Sequence, residues 1–225
     1  LAIFSWLLIN LPNNLSKLNS KINTKICLVA VSKTKPISDI LEAYNFGHKI
    51  FGENKVQELV SKHNSLPKDI SWHMIGHLQR NKVKYIASFI DLIHGVDNIK
   101  LIKEINKQGL KNSRVINCLI QVNISNEENK FGMNINETYN LFKTLELTSF
   151  KNLNIVGLMG MGSFTNDEEF LKNQFLSLKK LFDKLNSEKF NLSVLSMGMS
   201  NDYRLAIECG SNMIRVGSSI FGSRK

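Results

Sequence analysis

A lysine that directly follows an apolar run is the first residue of this sequence whose chemistry needs explaining. The stretch LVAVSKTKP, residues 28–36, is typical of a buried strand that ends just before Lys33. Val29, Val31 and Lys33 share one face of that strand, because side chains alternate in direction. Two interpretations are open for this ammonium group: it reaches out to water, or it points inward at a ligand.

Two short segments rich in glycine and serine lie near the C-terminal end of the sequence. GMS, residues 198–200, precedes a predicted helix, and GSS, residues 217–219, follows an apolar run. Small residues let backbone N–H groups approach an oxyanion, and a helix N-terminus adds a favourable dipole. The pair predicts a phosphate site, and the alternative is that Gly198 and Gly217 only shape tight turns.

A partly desolvated lysine beside a phosphate site suits a Schiff base with a phosphorylated aldehyde, and pyridoxal 5′-phosphate (PLP) is the obvious candidate. Lys35 has the same parity as Lys33, but it precedes Pro36 and lies further beyond the strand. His73 sits in an apolar run, where a core histidine is expected more often than a proton shuttle. No two histidines or acids have convincing metal-ligand spacing.

The elements that must position these residues are eight short β-rich runs that alternate with amphipathic segments. The predicted strands, some with their loops, are Ile26–Ser32, KIFGEN, ISWHMIG, IDLIHGVD, Arg114–Ile124, LNIVGLMGMG, LSVLSMGMS and NMIRVGSSIFG. Helices are predicted between them, including Arg80–Ser88 and one that contains Leu145. This alternation predicts a single (β/α)₈ barrel, in which loops after strands seven and eight commonly bind phosphate. An open doubly wound sheet is the competing architecture.

Composition and net charge indicate the class of protein and exclude some kinds of binding partner. The 225 residues are 43% hydrophobic and 21% charged, which is typical of a soluble globular protein. The net charge of +10 is spread without a dense basic block, so we expect neither nucleic acid nor a membrane as a partner. Three widely separated cysteines form no disulfide framework, so we expect a cytoplasmic protein.

The N-terminal stretch LAIFSWLLINLPNN is left out of the fold prediction. Its apolar run is shorter than the roughly 20 residues that span a bilayer, and it lacks the basic start of a secretory signal. We therefore expect an N-terminal segment of uncertain order over residues 1–25 and a barrel domain over residues 26–225.

Seven motifs in this order resemble the signatures of the PLP homeostasis proteins, the PLP-binding proteins of the alanine racemase N-terminal-domain type. The resemblance covers residues 26–224. Its motifs are LVAVSKTKP, FGENKVQE, WHMIGHLQRNK, QVNIS with NKFGM, GLMGMGSF, LSMGMSNDYRLAI and IRVGSSIFG.

The resemblance implies a (β/α)₈ barrel and a set of cofactor-binding residues. PLP is expected as an imine on Lys33, and an arginine matching Arg215 is expected at the pyridine nitrogen. The phosphate and the ring are expected to contact the remaining matched positions, which are Asn54, His73, Met159, Met199, Ser200, Gly217 and Ser218. Family members often have threonine where this chain has Ser218, and the hydroxyl is kept.

The same resemblance implies a carrier of PLP in vitamin B6 and amino-acid homeostasis, with no established reaction. An arginine can only donate to the ring nitrogen, which makes PLP a poorer electron sink than an acidic partner would. The racemases that resemble this barrel carry a second β-rich domain, for which the eight strands leave no room. We expect a monomer, with apo-PLP enzymes as recipients.

Two other functions stay open. One is a PLP-dependent amino-acid racemase of low activity. The other is a phosphate-binding barrel enzyme without PLP, in which Lys33 clamps an anion or forms an imine with a substrate carbonyl.

Overall fold

Eight parallel strands close into a barrel in the computed structural model of the protein, which describes residues 10–125, 127, 129–144 and 149–222. The last strand pairs with the first, with Val29 opposite Arg215. The predicted (β/α)₈ barrel is confirmed, and the open sheet is excluded because the sheet has no edge. The strands are β1 Cys27–Val31, β2 Ile50–Glu53, β3 Ser71–Met74, β4 Leu92–Val96, β5 Ile116–Val122, β6 Leu153–Gly160, β7 Val194–Ser196 and β8 Met213–Val216.

Helices cover the outside of the barrel with their apolar faces. In one of them Leu101, Ile102 and Ile105 are buried, which is the spacing of an amphipathic helix, and the Asn98 side chain caps its first turn. The α-helices are α1 Leu11–Asn19, α2 Ile37–Asn45, α3 Val56–Ser65, α4 Ile99–Lys111, α5 Ile135–Thr144, α6 Glu168–Ser187, α7 Tyr203–Glu208 and α8 Ser218–Phe221.

The barrel has two apolar layers. A large cluster lies between the strands and the helices, and it includes Ala30, Phe51 and Trp72. A smaller cluster, with Val29 and Leu119 among its members, lies inside the barrel. Alternation along β1 therefore places Val29 inside and Ala30 outside, so the inner face of this strand leads toward Lys33.

The segment after β3 forms a 3₁₀ helix over Arg80–Tyr85, which is shorter than the helix predicted over Arg80–Ser88 and more tightly wound than an α-helix. Val83, Ile86 and Ile90 are fully buried here. Lys82 and Ile86 donate to carbonyls three residues earlier. This tighter winding aligns side chains three residues apart, and Val83 and Ile86 have that spacing.

Helix α1 begins in the stretch left out of the fold prediction and lies within residues 1–25, the segment expected to be of uncertain order. Leu11, Leu15 and Leu18 are buried in the outer core. The Asn14 amide donates to the Ile220 carbonyl at 2.9 Å, which ties α1 to α8. The prediction missed this helix because three leucines in a short, asparagine-rich stretch indicate little until the surface that buries them is known.

Some predictions fall outside the described residues, namely those on residues 1–9, Leu145 and Arg224. Among the described residues, no helix is both long and apolar enough to cross a membrane.

Candidate functional site

A cavity of about 440 Å³ opens at the C-terminal ends of the barrel strands. Its wall is built from the ends of β1 and β8 and from the segments that follow β1, β2, β3, β5, β6, β7 and β8. Seven of the nine residues predicted to bind the cofactor line this cavity, and they come from positions spread over most of the chain. They are Lys33, Asn54, Met199, Ser200, Arg215, Gly217 and Ser218.

The other two predicted residues lie inside the barrel and are not among the residues that line the cavity. Met159 is 1% exposed and packs in the inner apolar cluster with Val29 and Leu119. His73 is 5% exposed, and its Nδ1 lies 3.1 Å from Nε2 of His94. Both residues therefore contact other side chains of the barrel interior.

Lys33 is carried by a short loop whose backbone is held by buried charges. The Lys62 ammonium donates to the Ser32 carbonyl and to Oε1 of Glu53, each at 2.7 Å. The Ser32 hydroxyl donates to the same Glu53 oxygen at 2.6 Å. On the other side of Lys33, Thr34 donates its backbone N–H to a Glu58 carboxylate oxygen at 2.6 Å.

Glu53, Glu58 and Lys62 together form what we call the ionic anchor. Lys62 bridges the two carboxylates, since its Nζ also lies 2.7 Å from Glu58. Thr34 has a φ of 64°, a left-handed conformation that is unfavourable for a β-branched residue. The hydrogen bond from Thr34 to Glu58 offsets this strain, so the anchor sets the backbone path on both sides of Lys33.

The Glu53 carboxylate is fully buried and only partly satisfied. Burial raises the pKa of the Glu53 carboxyl, and the Lys62 ammonium and the Ser32 hydroxyl oppose this rise. Its second oxygen, Oε2, has no hydrogen-bond partner among the described residues. Glu53 therefore depends on Lys62 for most of the stabilisation of its charge.

Lys35 also lines the cavity, but its ammonium is bound to the backbone. Its Nζ donates to the Phe221 carbonyl at 2.7 Å and approaches the Gly222 carbonyl at 3.4 Å. These contacts lie at the C-terminal end of α8. Lys35 thus holds the end of α8 against the loop after β1.

The loops after β7 and β8 form a corner of small residues. Gly198 has a φ of 95°, which favours glycine. A Cβ on Gly217 would lie 3.2 Å from both the Cβ and the carbonyl oxygen of Val31, so the backbone packs closely here. The Ser200 hydroxyl accepts the Gly217 N–H at 3.2 Å, and this bond joins the two loops.

Asp202 is a lining residue that sequence reasoning missed. Its carboxylate accepts the Met199 N–H at 2.5 Å, so this backbone donor is already used. Burial raises the pKa of the Asp202 carboxyl, and the hydrogen bond from Met199 and the charge of Arg215 oppose the rise. Asp202 precedes α7, but its side chain makes no capping hydrogen bond, so the preference for aspartate at helix starts would not have identified its role here.

The Arg215 guanidinium lies at the floor of the cavity and is 4% exposed. Its Nη1 donates to the Ser196 carbonyl at 3.0 Å and to the Ser196 hydroxyl at 2.6 Å. Its Nη2 donates to the Gly160 carbonyl at 3.1 Å. Burial lowers the pKa of Arg215 to about 10, with Asp202 opposing, so the side chain remains a cation at neutral pH.

The donor set of this cavity can be compared with what PLP requires. Lys33 offers an amine, Arg215 a fixed cation, Ser200 and Ser218 hydroxyls, and Gly217 a backbone with no side chain. These groups match an aldehyde, a ring nitrogen and a phosphate, so the residues fit PLP. Among the described residues, no group of three or more histidine, cysteine or acidic side chains is arranged to hold a metal ion.

Comparisons with known proteins identify the family to which this chain is similar. The family model of the alanine racemase N-terminal domain matches residues 8–225. A pyridoxal phosphate homeostasis protein of Aquifex aeolicus is 42% identical over 202 residues, which are 88% of this chain and 87% of that protein. One from Schizosaccharomyces pombe is 43% identical over 202 residues, covering 88% and 84%.

A solved structure extends the comparison to three dimensions. PipY of Synechococcus elongatus, solved with PLP bound, superposes with a TM-score of 0.86 at 30% identity. The match covers 94% of this chain and all of that one.

Proposed function

This chain belongs to the alanine racemase N-terminal-domain family and, within it, to the pyridoxal phosphate homeostasis proteins; from this premise we propose that it binds PLP and serves vitamin B6 and amino-acid homeostasis. The observation that carries the proposal is the joint presence of Lys33, Arg215 and the Ser200 and Ser218 loops around one cavity. We propose that it acts as a carrier or regulator without catalytic turnover.

Each part of the cavity has a proposed role. The Lys33 amine would hold the cofactor covalently, and the backbone N–H groups and hydroxyls of Ser200 and Ser218 would hold its phosphate. Gly217 donates its own N–H to the Ser200 hydroxyl, and its lack of a side chain would let the phosphate approach the backbone. Met199 would line the phosphate site, but its backbone N–H would not hold the phosphate, because the Asp202 carboxylate already accepts that N–H. Asn54 would line the rim of the ring site, whereas His73 and Met159 would support it from below. When bound, PLP supplies an aldehyde carbon and an aromatic ring able to delocalise electrons.

The state of Arg215 supports a carrier over a racemase. The guanidinium keeps its protons at neutral pH, because a pKa of about 10 remains well above that range. It can only donate to a ring nitrogen, and it cannot supply the proton that strengthens electron withdrawal. Arg215 is also fixed by three hydrogen bonds, so it does not move away to admit a proton donor.

The proposed location is the cytoplasm, and the proposed recipients of the cofactor are apo-PLP enzymes. Three free cysteines support the location, since such thiols persist in a reducing compartment. We propose that the protein works as a monomer, and nucleic acid and membranes are not part of the proposal.

The direct test of PLP binding is covalent trapping. The protein is incubated with PLP, reduced with borohydride and digested, and the pyridoxyl group is located by mass spectrometry. We expect it on Lys33, and we expect Lys33→Ala to lose the visible absorbance while Lys35→Ala keeps it. Modification of Lys35 with Lys33 unmodified would overturn the assignment. A wild-type protein that takes up no PLP would overturn the proposed function itself.

A second experiment separates the carrier from a racemase. The PLP-loaded protein is incubated with L-alanine in heavy water, and deuterium at the α-carbon is followed by mass spectrometry. We expect incorporation far slower than the turnover of ordinary enzymes, which is roughly 1–10³ per second. Incorporation in that range would show that the protein is a catalyst.

A further inference from the structure

A line of polar side chains runs through the otherwise apolar interior of the barrel. We call Ser71, His73, His94, Ser196 and Arg215 the interior polar chain. His94 and Ser196 are 0% exposed, and His73 and Arg215 are 5% and 4% exposed. Four different strands supply these residues, namely β3, β4, β7 and β8. Buried polar groups of this kind stabilise a fold only when they are hydrogen-bonded to each other.

The links of the chain can be followed from the cavity downward. Arg215 Nη1 lies 2.6 Å from the Ser196 hydroxyl, which lies 3.4 Å from Nδ1 of His94. Nε2 of His94 lies 3.1 Å from Nδ1 of His73, and Nε2 of His73 lies 3.4 Å from the Ser71 hydroxyl. The chain therefore connects the cavity floor to the opposite end of the barrel.

Assigning a donor and an acceptor to each contact gives the hydrogen bonds of the interior polar chain one direction, from Arg215 toward Ser71. Arg215 can only donate, so the Ser196 hydroxyl accepts from it and has its own proton left for His94. Among the described residues, Nδ1 of His94 is the acceptor within reach of that proton, so we assign Nδ1 as the acceptor and place the ring hydrogen on Nε2, which donates to His73. By the same step, Nδ1 of His73 accepts and its Nε2–H points at Ser71. Both imidazoles are thus neutral and carry their proton on Nε2.

The electrostatics of the interior agree with this assignment. Burial lowers the pKa of His73 to about 4, with Asp91 opposing. Burial, together with His73 and Arg215, lowers the pKa of His94 well below its ordinary value. A second cation beside Arg215 is therefore disfavoured, and the two histidines remain neutral acceptors and donors at pH 7.

These hydrogen bonds affect the orientation of the Arg215 guanidinium. The Ser196 hydroxyl accepts one Nη1 hydrogen, while the Ser196 and Gly160 carbonyls accept others. A serine hydroxyl rotates freely unless a second partner fixes it, and His94 is the acceptor within reach among the described residues. His94 in turn is held by His73. The orientation of Arg215 is thus determined by residues that do not touch the cavity.

We propose that Ser196 and His94 are positioning residues, which aim the Arg215 guanidinium into the cavity and so set its contact with the ring nitrogen of the cofactor. This inference rests on the proposed function, because the ring nitrogen belongs to PLP. Neither residue lines the cavity, and neither was singled out by sequence motifs. Their place in the barrel became apparent only from the contacts of Arg215.

The test compares three variants in PLP-loaded protein. His94→Leu removes the acceptor for Ser196, and His94→Gln keeps an oxygen that can accept and an amide that can donate. Leu119→Met is the matched control, since it changes the same interior layer without a polar group. The readouts are the visible absorption spectrum of bound PLP and its dissociation rate.

We expect His94→Leu to shift the visible band and to raise the PLP dissociation rate about three- to tenfold, as the weakening of one hydrogen bond does. His94→Gln should return both readouts most of the way to wild type, and Leu119→Met should leave the band in place. A folded His94→Leu protein with the wild-type spectrum and dissociation rate would overturn the proposal. Should His94→Leu fail to fold, Ser196→Ala is measured in its place, with the same expected shift.

A second arm uses protein without PLP, so that it does not depend on the proposed function. Long-range ¹⁵N NMR of the histidine rings should show His94 and His73 neutral, with the proton on Nε2, at pH 7. The Arg215 guanidinium signals should show slow rotation in wild type and faster rotation in Ser196→Ala. A proton on Nδ1 of His94, or unchanged Arg215 rotation, would overturn the positioning role. Failure of the wild type to bind PLP would overturn only the proposed function.

Discussion

The two sides of the cavity are held in different ways. On the lysine side, the ionic anchor of Glu53, Glu58 and Lys62 is hydrogen-bonded to the backbone on both sides of Lys33. On the arginine side, the Arg215 side chain itself is fixed, by neutral oxygens and the interior polar chain. The lysine side thus orders the backbone of the loop that carries Lys33. The arginine side orders the functional group directly.

This difference predicts which property of the protein changes when residues on each side are substituted. A buried ion pair that loses one partner leaves an uncompensated charge, whereas a cation that loses one of several neutral hydrogen-bond acceptors keeps the others, which costs less. The lysine side should therefore respond to substitution mainly through the stability of the protein. The arginine side should respond mainly through pH and through the fit of the ligand.

The largest effect is expected from removing the cation of the ionic anchor. Lys62→Met leaves the fully buried Glu53 carboxylate without its partner, so we expect a loss of about 3–5 kcal/mol in the free energy of unfolding. Urea denaturation measures it. The matched control is Lys49→Met, whose partner Asp69 is half exposed, and which should cost no more than about 1 kcal/mol.

A double variant sharpens this prediction. Glu53→Gln combined with Lys62→Met removes both charges, so it should recover a large part of the lost stability. Equal losses for Lys62→Met and Lys49→Met would show that the ionic anchor does not stabilise the lysine side.

The second effect is a pH dependence of the free energy of unfolding. It comes from His73, which lies in the interior polar chain on the arginine side. The pKa of His73 is about 4 in the folded protein and ordinarily 6.5, so the unfolded chain binds a proton that the folded one does not. Stability is therefore fully present above pH 6.5 and falls as the pH drops toward 4, by on the order of 3 kcal/mol from this group. The lowered pKa of His94 acts in the same direction.

On the lysine side, Glu53 should change the free energy of unfolding with pH in the opposite direction. The raised pKa of Glu53 means that the folded state takes up a proton more readily, so this group adds stability as the pH falls toward its ordinary value of 4.5. Urea denaturation of wild type and His73→Gln between pH 7 and 4 separates the two, because the variant should have the shallower slope. Identical slopes would show that His73 does not titrate as the structure indicates.

A smaller effect is expected at the corner formed by the loops after β7 and β8. Ser200→Ala removes one hydroxyl while the backbone N–H groups remain, so we expect PLP retention to weaken about three- to tenfold. Dialysis of the loaded protein, followed by absorbance, measures the loss, and the urea midpoint serves as a control for folding. Unchanged retention in both Ser200→Ala and Ser218→Ala would place the phosphate elsewhere.

The smallest effect is expected from Met159→Leu. Met159 packs in the inner apolar cluster and lies outside the cavity lining, so a swap of similar volume should cost less than about 1.5 kcal/mol. PLP retention should be unchanged within twofold by the same dialysis measurement. A clear loss of retention with normal stability would put Met159 in contact with the cofactor after all.

Much of this architecture could be predicted from local patterns. Strand runs such as Arg114–Ile124 are mostly apolar because both faces of a parallel strand are covered, and that signal needs no tertiary information. The gathering of Lys33, Arg215 and Gly217 around one cavity was also predictable, since strand ends in a barrel meet at one mouth. Helix α1 and the 3₁₀ winding after β3 were not predicted, because the surfaces that bury their leucines and isoleucines come from distant elements.

The sequence by itself therefore determined the eight β/α units, the order of the loops and the lysine at the end of the first strand, because alternation and turn residues act over a few neighbours. Only the tertiary structure decided which side chains hold these groups. Lys62 meets Ser32 across 30 positions and Ser196 meets His94 across 102, and such pairings depend on how the closed barrel staggers its strands. Buried hydrogen bonds and ion pairs form where that stagger brings donors to acceptors, and no local pattern encodes it.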